Sequence, residues 1–167
     1  RDVYLGPIIN EQALDTYERT RRHCLEHELP LLVAVADYNI AYLYYLRGEY
    51  TRAIELYRSA REHCRAMGDA YREALCDLDQ SEMYLELNLS REGGQLAKRA
   101  VASFQKLGMR YEEAKSRAYL AVAASHQGNP ARALRMFRKA RNLFALEKNQ
   151  VWTALIDLYR ALVLFQE

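Results

Sequence analysis

The residues best suited to chemistry are two adjacent pairs, His23-Cys24 and His63-Cys64, each a candidate metal-ligand set or thiol–imidazole dyad. Neighbours on a helix point about 100° apart, so one such pair closes poorly on a single ion. The pairs also lie 40 residues apart, and Phe104 and Phe144 continue the cysteine series at the same interval. A position shared by Cys and Phe is a core position, so Cys24 and Cys64 read as small buried hydrophobes. Asp77-Leu78-Asp79-Gln80-Ser81 has the acidic spacing that opens a calcium loop. It lacks the turn glycine at the sixth place and falls inside a helical stretch, so it is dismissed. No phosphate-cradling glycine loop, H-E-x-x-H or G-x-S-x-G is present, and no acid, base and nucleophile come together. The expectation is therefore no enzyme, no metal and no cofactor.

The elements that carry these residues repeat. Ala13, Ala53, Gly93 and Ala133 are 40 apart, as are Tyr17, Tyr57, Ala97 and Phe137. Ala34, Ala74, Ala114 and Ala154 form a third series, and Ala41, Ser81, Ala121 and Ala161 a fourth. A fixed period of this length means stacked units, each unable to bury its apolar face alone. Gly48, Asn88 and Gly128 share one register position, and Gly68, Gly108 and Lys148 another. Gly and Asn tolerate the left-handed conformation that ends a helix, so these mark C-terminal stops. Asn129-Pro130 supplies an N-cap and a proline at the first helical position, and Ser90 is expected to cap the helix after Asn88.

Between the stops the pattern predicts eight helices. They are one B helix over about residues 10–28, three A/B pairs starting near Leu31, Ala70 and Arg110, and a last A helix from about Gln150 to Phe165. No stretch alternates as a strand does. The fold class is all-α, an α-solenoid of stacked antiparallel helix pairs. The 167 residues form one repeat domain, with partial repeats at 1–30 and 150–167 and full repeats at 31–69, 70–109 and 110–149. Ala41 and Ala53 are expected to face each other where paired helices approach, with Gly93 in the same contact. Gly94 has no such reason, and at a cost of roughly 1 kcal/mol relative to Ala it makes the second pair the loosest unit.

Composition narrows the function classes. Lys+Arg 24 against Asp+Glu 22 gives a net charge of +2, which offers no general case for nucleic acid or anionic membrane. Three cysteines without a C-x-x-C argue against disulfides and structural zinc and for a reducing cytoplasm. The most apolar run, Leu31 to Leu46, is interrupted by Asp37 and Asn39 and is shorter than the ~20 residues of a bilayer span, so it reads as a buried helix. A chain that starts at Arg1 reads as a piece of a larger protein.

The stretch from Tyr38 to Ala53 resembles a tetratricopeptide repeat. Ala41 takes the small position of helix A, Gly48 and Tyr50 match the turn, and Ala53, Tyr57 and Ala60 match helix B. Ala121, Gly128, Ala133, Phe137 and Ala140 repeat the pattern, whereas the second pair departs with Asn88 and Ala97. The family repeat is usually 34 residues, shorter than this one. The resemblance implies a right-handed superhelix whose A helices line a concave, protein-binding face. The 40-residue variety looks like repeats of large bacterial regulatory proteins. Residues 114–165 are similar to the repeat region beside caspase-like CHAT peptidase domains.

Carried over residue by residue, the concave face comprises Val35, Tyr38, Asn39, Tyr42 and Tyr45, then Leu75, Leu78, Asp79, Glu82 and Leu85. It continues with Lys115, Tyr119, Val122 and Ser125, and with Leu155, Leu158, Tyr159 and Leu162 of the last helix. Tyrosine suits such a surface because it joins apolar area to a hydroxyl at low entropic cost. The competing reading makes these tyrosines core. Asp79, Glu82 and Glu86 share one helix face and read as a solvated strip paired with Lys115, or as an attractor of a basic side chain. Family members that clamp a C-terminal carboxylate use Lys, Arg and Asn where Tyr38 and Tyr42 stand, which excludes that specificity.

The expected function is a cytoplasmic interaction scaffold of a bacterial regulator that binds a protein or peptide segment, within its own chain or in another. The alternatives are a sensor module controlling an attached peptidase domain and, more weakly, nucleic-acid binding by the arginines of the B helices. Membrane partners are not expected. The last helix is apolar on several faces, through Trp152, Leu155, Ile156, Leu158, Tyr159, Leu162, Val163, Leu164 and Phe165. A repeat array needs a polar outer face at its end, so a second copy or a further domain is expected to cover this one.

Overall fold

The computed structural model describes the backbone of residues 5–165 and the side chains of residues 11–165. Among these residues there are eight helices and no strand: α1 (Leu5–Glu26), α2 (Pro30–Leu46), α3 (Tyr50–Ala66), α4 (Ala70–Glu86), α5 (Ser90–Leu107), α6 (Arg110–His126), α7 (Pro130–Leu146) and α8 (Gln150–Phe165). The all-α architecture of paired helices is the one expected. Among the described residues the first helix already includes Leu5, five residues before the start its pattern suggested.

Local chemistry at the turns fixes the period. Residues 28, 48, 68, 88, 108, 128 and 148 all have positive φ, between 53° and 74°. Four of them are glycines, and Glu28, Asn88 and Lys148 hold the same conformation against the steric cost of a Cβ. After each, the next residue donates its N–H to the carbonyl five positions back, as in Glu49 to Tyr44 and Asn129 to Ala124, at 2.8–3.0 Å throughout. This closure satisfies carbonyls that a helix end leaves without partners and turns the chain back on itself. Asn129 caps α7 through its side chain, accepting from the Arg132 N–H at 3.1 Å. Asp69 and Asn149 do the same for α4 and α8. Ser90 does not cap α5. It is the first helical residue, and Leu89 stands at the cap with no side-chain bond.

The chain forms two compact units, residues 1–76 and 77–167, with the boundary inside α4. In the first, α1–α3 and the start of α4 bury Cys24, Ala34, Ile40, Ala41, Ala53, Tyr57, Ala60 and Cys64. In the second, Ala114, Ala118, Ala121, Ala133, Phe137, Ala140, Phe144 and Ile156 form one apolar cluster. The small residues of the repeat series are core from α2 to α7, while Ala13 in α1 is half-buried. Ala154 and Ala161 in α8 are exposed.

Gly94 does have a structural reason. It is buried, and a Cβ there would stand 3.1 Å from the Cβ of Ala123 on α6. Its missing methyl lets α5 approach α6, a packing reason that the sequence pattern alone did not show. At Gly93 a Cβ would meet Leu85 Cγ at 3.0 Å and the Ser81 carbonyl oxygen at 3.1 Å. Ser81 Oγ in turn donates to the Gly93 carbonyl at 2.9 Å, tying α4 to α5.

Ion pairs follow the register too. Arg21 on α1 bonds the fully buried Asp37 on α2, and Arg141 on α7 bonds Asp157 on α8 at 2.8 and 2.9 Å. Both pairs span 16 residues. Hydrogen bonds from Arg141, and then from Arg160, hold the Asp157 carboxyl below the usual carboxylate range. Asp77, which stands 40 residues after Asp37, is held at both oxygens by Arg99 at 2.7 and 3.1 Å. A buried carboxylate is tolerable only with such a partner.

Candidate partner-binding surface

In the first unit the expected contact residues lie on α2. Tyr42 is the most open of them, at 47% exposure. Its ring centroid lies 6.1 Å from that of Tyr45, which lies 6.2 Å from Tyr50 at the start of α3. Tyr38 is half-buried and meets the buried ring of Tyr57 edge-on at 5.5 Å. It therefore contributes to the core as well as to the surface. Val35 and Asn39 are half-buried, and the Asn39 amide donates to the Val35 carbonyl at 2.8 Å, one turn back in the same helix. A larger cleft of this unit, about 360 Å³, lies among Glu18, Arg21, Arg22, Leu25, Ile40, Tyr44 and Leu56. None of the expected site residues lines it.

In the second unit, Leu78 is 2% exposed and Leu85 is buried. Both are core and present nothing to a partner, because the apolar side of α4 is covered where family register alone made it a surface. Asp79 and Glu82 are half-buried. Glu82 pairs with Lys115 at 3.4 Å, and the Lys115 ammonium sits 5.4 Å from the centroid of the Tyr119 ring. The paired strip expected from the sequence is thus formed at Glu82. Leu75 and Leu155 are half-buried, while Leu158 and Leu162 are exposed.

Val122, Ser125, Tyr159 and Leu162 come together with His126, Phe137 and Val163 around a cleft of about 150 Å³ between α6 and α8. Phe137 forms its floor. Its ring is 1% exposed and stacks on Tyr159 at 5.7 Å with the planes 4° apart. Apolar walls with a hydroxyl and an imidazole at the rim suit a single apolar side chain. Phe137, His126 and Val163 were not among the expected contact residues. Phe137 was legible as the family's B-helix aromatic, but its place beneath Tyr159 depends on α7 and α8 packing together.

Other candidates resolve into structural roles. Cys24 and Cys64 are 3% and 1% exposed, and burial, then the nearby Asp69, pushes the Cys64 thiol up and so away from the reactive thiolate. Among the B-helix arginines, Arg61 and Arg65 pair with Glu73, Arg99 with Asp77 and Arg141 with Asp157. Much of the basic stripe is neutralised locally, which weakens the nucleic-acid alternative. Among the described residues no helix is long and apolar enough to cross a membrane.

Residues 38–69 and 114–143 match the tetratricopeptide repeat family. The search of curated proteins found no match. The two matched stretches fall on α2–α3 and α6–α7, the pairs in which an A-helix alanine, a turn glycine and a B-helix aromatic all occur together. Over these two helix pairs the chain carries tetratricopeptide repeats.

Proposed function

We propose that this chain is a protein-interaction module that holds an apolar side chain of its partner in the cleft between α6 and α8. Tetratricopeptide repeats in general mediate protein–protein interactions. The observation that supports the finer reading is the cleft itself, where Val122, Tyr159 and Leu162 surround a space open to solvent above the Phe137 ring. An aliphatic anchor entering it would be desolvated on several sides, the setting in which a few residues carry most of an interface's energy. Lys115 and Glu82 flank the same A-helix surface and supply charges for orientation rather than affinity. On α2, Tyr42 and Tyr45 supply a second contact area. The outer face of α8, with Val151 78% and Phe165 91% exposed, is part of the same proposal as a face covered by protein.

Peptides selected by display on the whole chain test this reading. Val122→Glu and Leu162→Glu place a carboxylate in the cleft from a half-buried and an exposed position, and circular dichroism checks that each keeps its helix content. Each is expected to weaken the selected peptides by roughly thirtyfold, the loss of one hot-spot contact of about 2 kcal/mol. Peptides that bind both variants as tightly as the parent chain would place the interaction elsewhere.

A further inference from the structure

The end of α1 and the first residue of the turn after it bring together three groups that none of the roles above uses. His23 and His27 are four residues apart and Glu26 lies between them, so all three side chains leave the same end of the helix. One ligand atom from each lies within 4.8 Å of the other two. In a tetrahedral shell with bonds of about 2.1 Å, ligand atoms stand about 3.4 Å apart, so small side-chain rotations close the set on one ion. All three residues are exposed, which leaves the remaining coordination positions to water.

A second observation points the same way. His27 Nδ1 lies 2.9 Å from the His23 carbonyl oxygen. A carbonyl only accepts, so Nδ1 carries the proton and donates it, which in the neutral ring leaves the Nε2 lone pair of His27 for an ion. A ring nitrogen tied to a backbone carbonyl while the other faces outward is the usual arrangement of a metal-ligating histidine. The two imidazole centroids are 4.0 Å apart, and the rings tilt by 35°. The pair that converges is therefore His23 with His27 and not His23 with Cys24, whose thiol is buried.

We infer that His23, Glu26 and His27 form a site for one borderline divalent transition ion, of the class of Zn²⁺ and Ni²⁺. Two imidazoles and one carboxylate suit this class. They do not suit Ca²⁺ or Mg²⁺, which demand shells made mostly of oxygen. The ion would join the end of α1 to the turn before α2, the turn in which Glu28 holds a positive φ of 53°.

Calorimetric titration of the full chain with ZnCl₂, NiCl₂ and CaCl₂ tests the site. The expected result is one Zn²⁺ or Ni²⁺ per chain and no heat from Ca²⁺. His23→Ala and His27→Ala should each weaken binding at least about tenfold, the loss of one of three protein ligands. Glu26→Gln should weaken it less, and His63→Ala should leave it unchanged. Circular dichroism checks that each variant keeps its helix content, which these exposed positions permit. An ion held with unchanged affinity by the His23→Ala/His27→Ala double variant would overturn the assignment. So would a parent chain that retains no ion after dialysis against micromolar metal.

Discussion

The hairpins α2–α3 and α6–α7 differ from α4–α5, which lies between them in the sequence, at three matched positions. The outer two have alanine, aromatic ring and turn glycine as Ala53, Tyr57 and Gly48, and as Ala133, Phe137 and Gly128. In α4–α5 these become Gly93, Ala97 and Asn88. The family match covers α2–α3 and α6–α7 and passes over α4–α5, yet the helices, the turn closure and the burial persist there. Ala97 and Ala100 are fully buried, as Tyr57, Ala60, Phe137 and Ala140 are. The helix pairs of this chain thus show two packing solutions. In one, a large B-helix ring fills the space between helices. In the other, glycine and alanine draw the helices together, with Leu78 and Met83 supplying bulk from the A helix. The first tolerates changes at the small position, whereas the second depends on it.

The largest expected effect comes from removing the ring in the first solution. Phe137→Ala should cost about 3–5 kcal/mol, the usual loss for a buried aromatic truncated to alanine. It also removes the floor beneath Tyr159, so peptide binding at the α6–α8 cleft should fall with stability. Denaturant unfolding monitored by circular dichroism measures the first effect, and peptide titration well below the midpoint measures the second. A loss below about 1 kcal/mol would mean that α6–α7 packs as α4–α5 does, without needing its ring.

Gly93→Ala tests the second solution. Alanine gains roughly 1 kcal/mol in helix propensity, but its methyl would stand 3.1 Å from a backbone oxygen of α4, which cannot move without displacing the helix. Overpacking of this kind costs about 1–3 kcal/mol, so the net should be destabilising by about 1 kcal/mol. Ala53→Gly and Ala133→Gly make the reciprocal change in the outer pairs and should lose about 1 kcal/mol of propensity plus about 0.8 kcal/mol for one buried methyl, with no overpacking involved. A stabilised Gly93→Ala variant would show slack between α4 and α5 and end the contrast.

Most of the architecture was legible in the sequence, because the 40-residue recurrence of small and aromatic residues reflects contacts that recur with it. What was not legible depended on particular neighbours. Gly94 looked like a defect until Ala123 of α6 stood against it. Ser90 carries a capping side chain but lies one position too far along, since the turn closure and not the hydroxyl sets where α5 begins. Leu78 sits at a family surface position and is core, because α4 supplies the volume that Ala97 lacks. The ion pairs Arg21–Asp37 and Arg141–Asp157 share a 40-residue register with the apolar series, yet patterns of hydrophobicity are blind to charge pairs. The contact surface was the least readable, since exposure of Val122, Tyr159 and Leu162 depends on how α6, α7 and α8 meet.

The smallest effect sharpens the comparison at the turn. Asn88 holds φ 59° where Gly48 and Gly128 hold 74° and 71°. An L residue in this region pays a steric cost that glycine avoids, about 1–2 kcal/mol for most side chains and less for Asn, which bonds locally. Against this, glycine at 88 loses more backbone entropy on folding. Asn88→Gly should therefore raise stability by only a few tenths of a kcal/mol, and Gly48→Asn should lower it by a similar amount. No atom lies within 4 Å of a Cβ at Gly48, so the second swap reads the conformational cost with no packing change mixed in. Both are measurable as shifts of the urea midpoint at constant slope. Opposite signs of similar size would mean that the turn of α4–α5 is the ordinary family turn in a less favourable residue. If both substitutions lowered the midpoint, Asn88 would be making a contact specific to its own pair, and the middle hairpin would differ from its neighbours in its turn as well as in its packing.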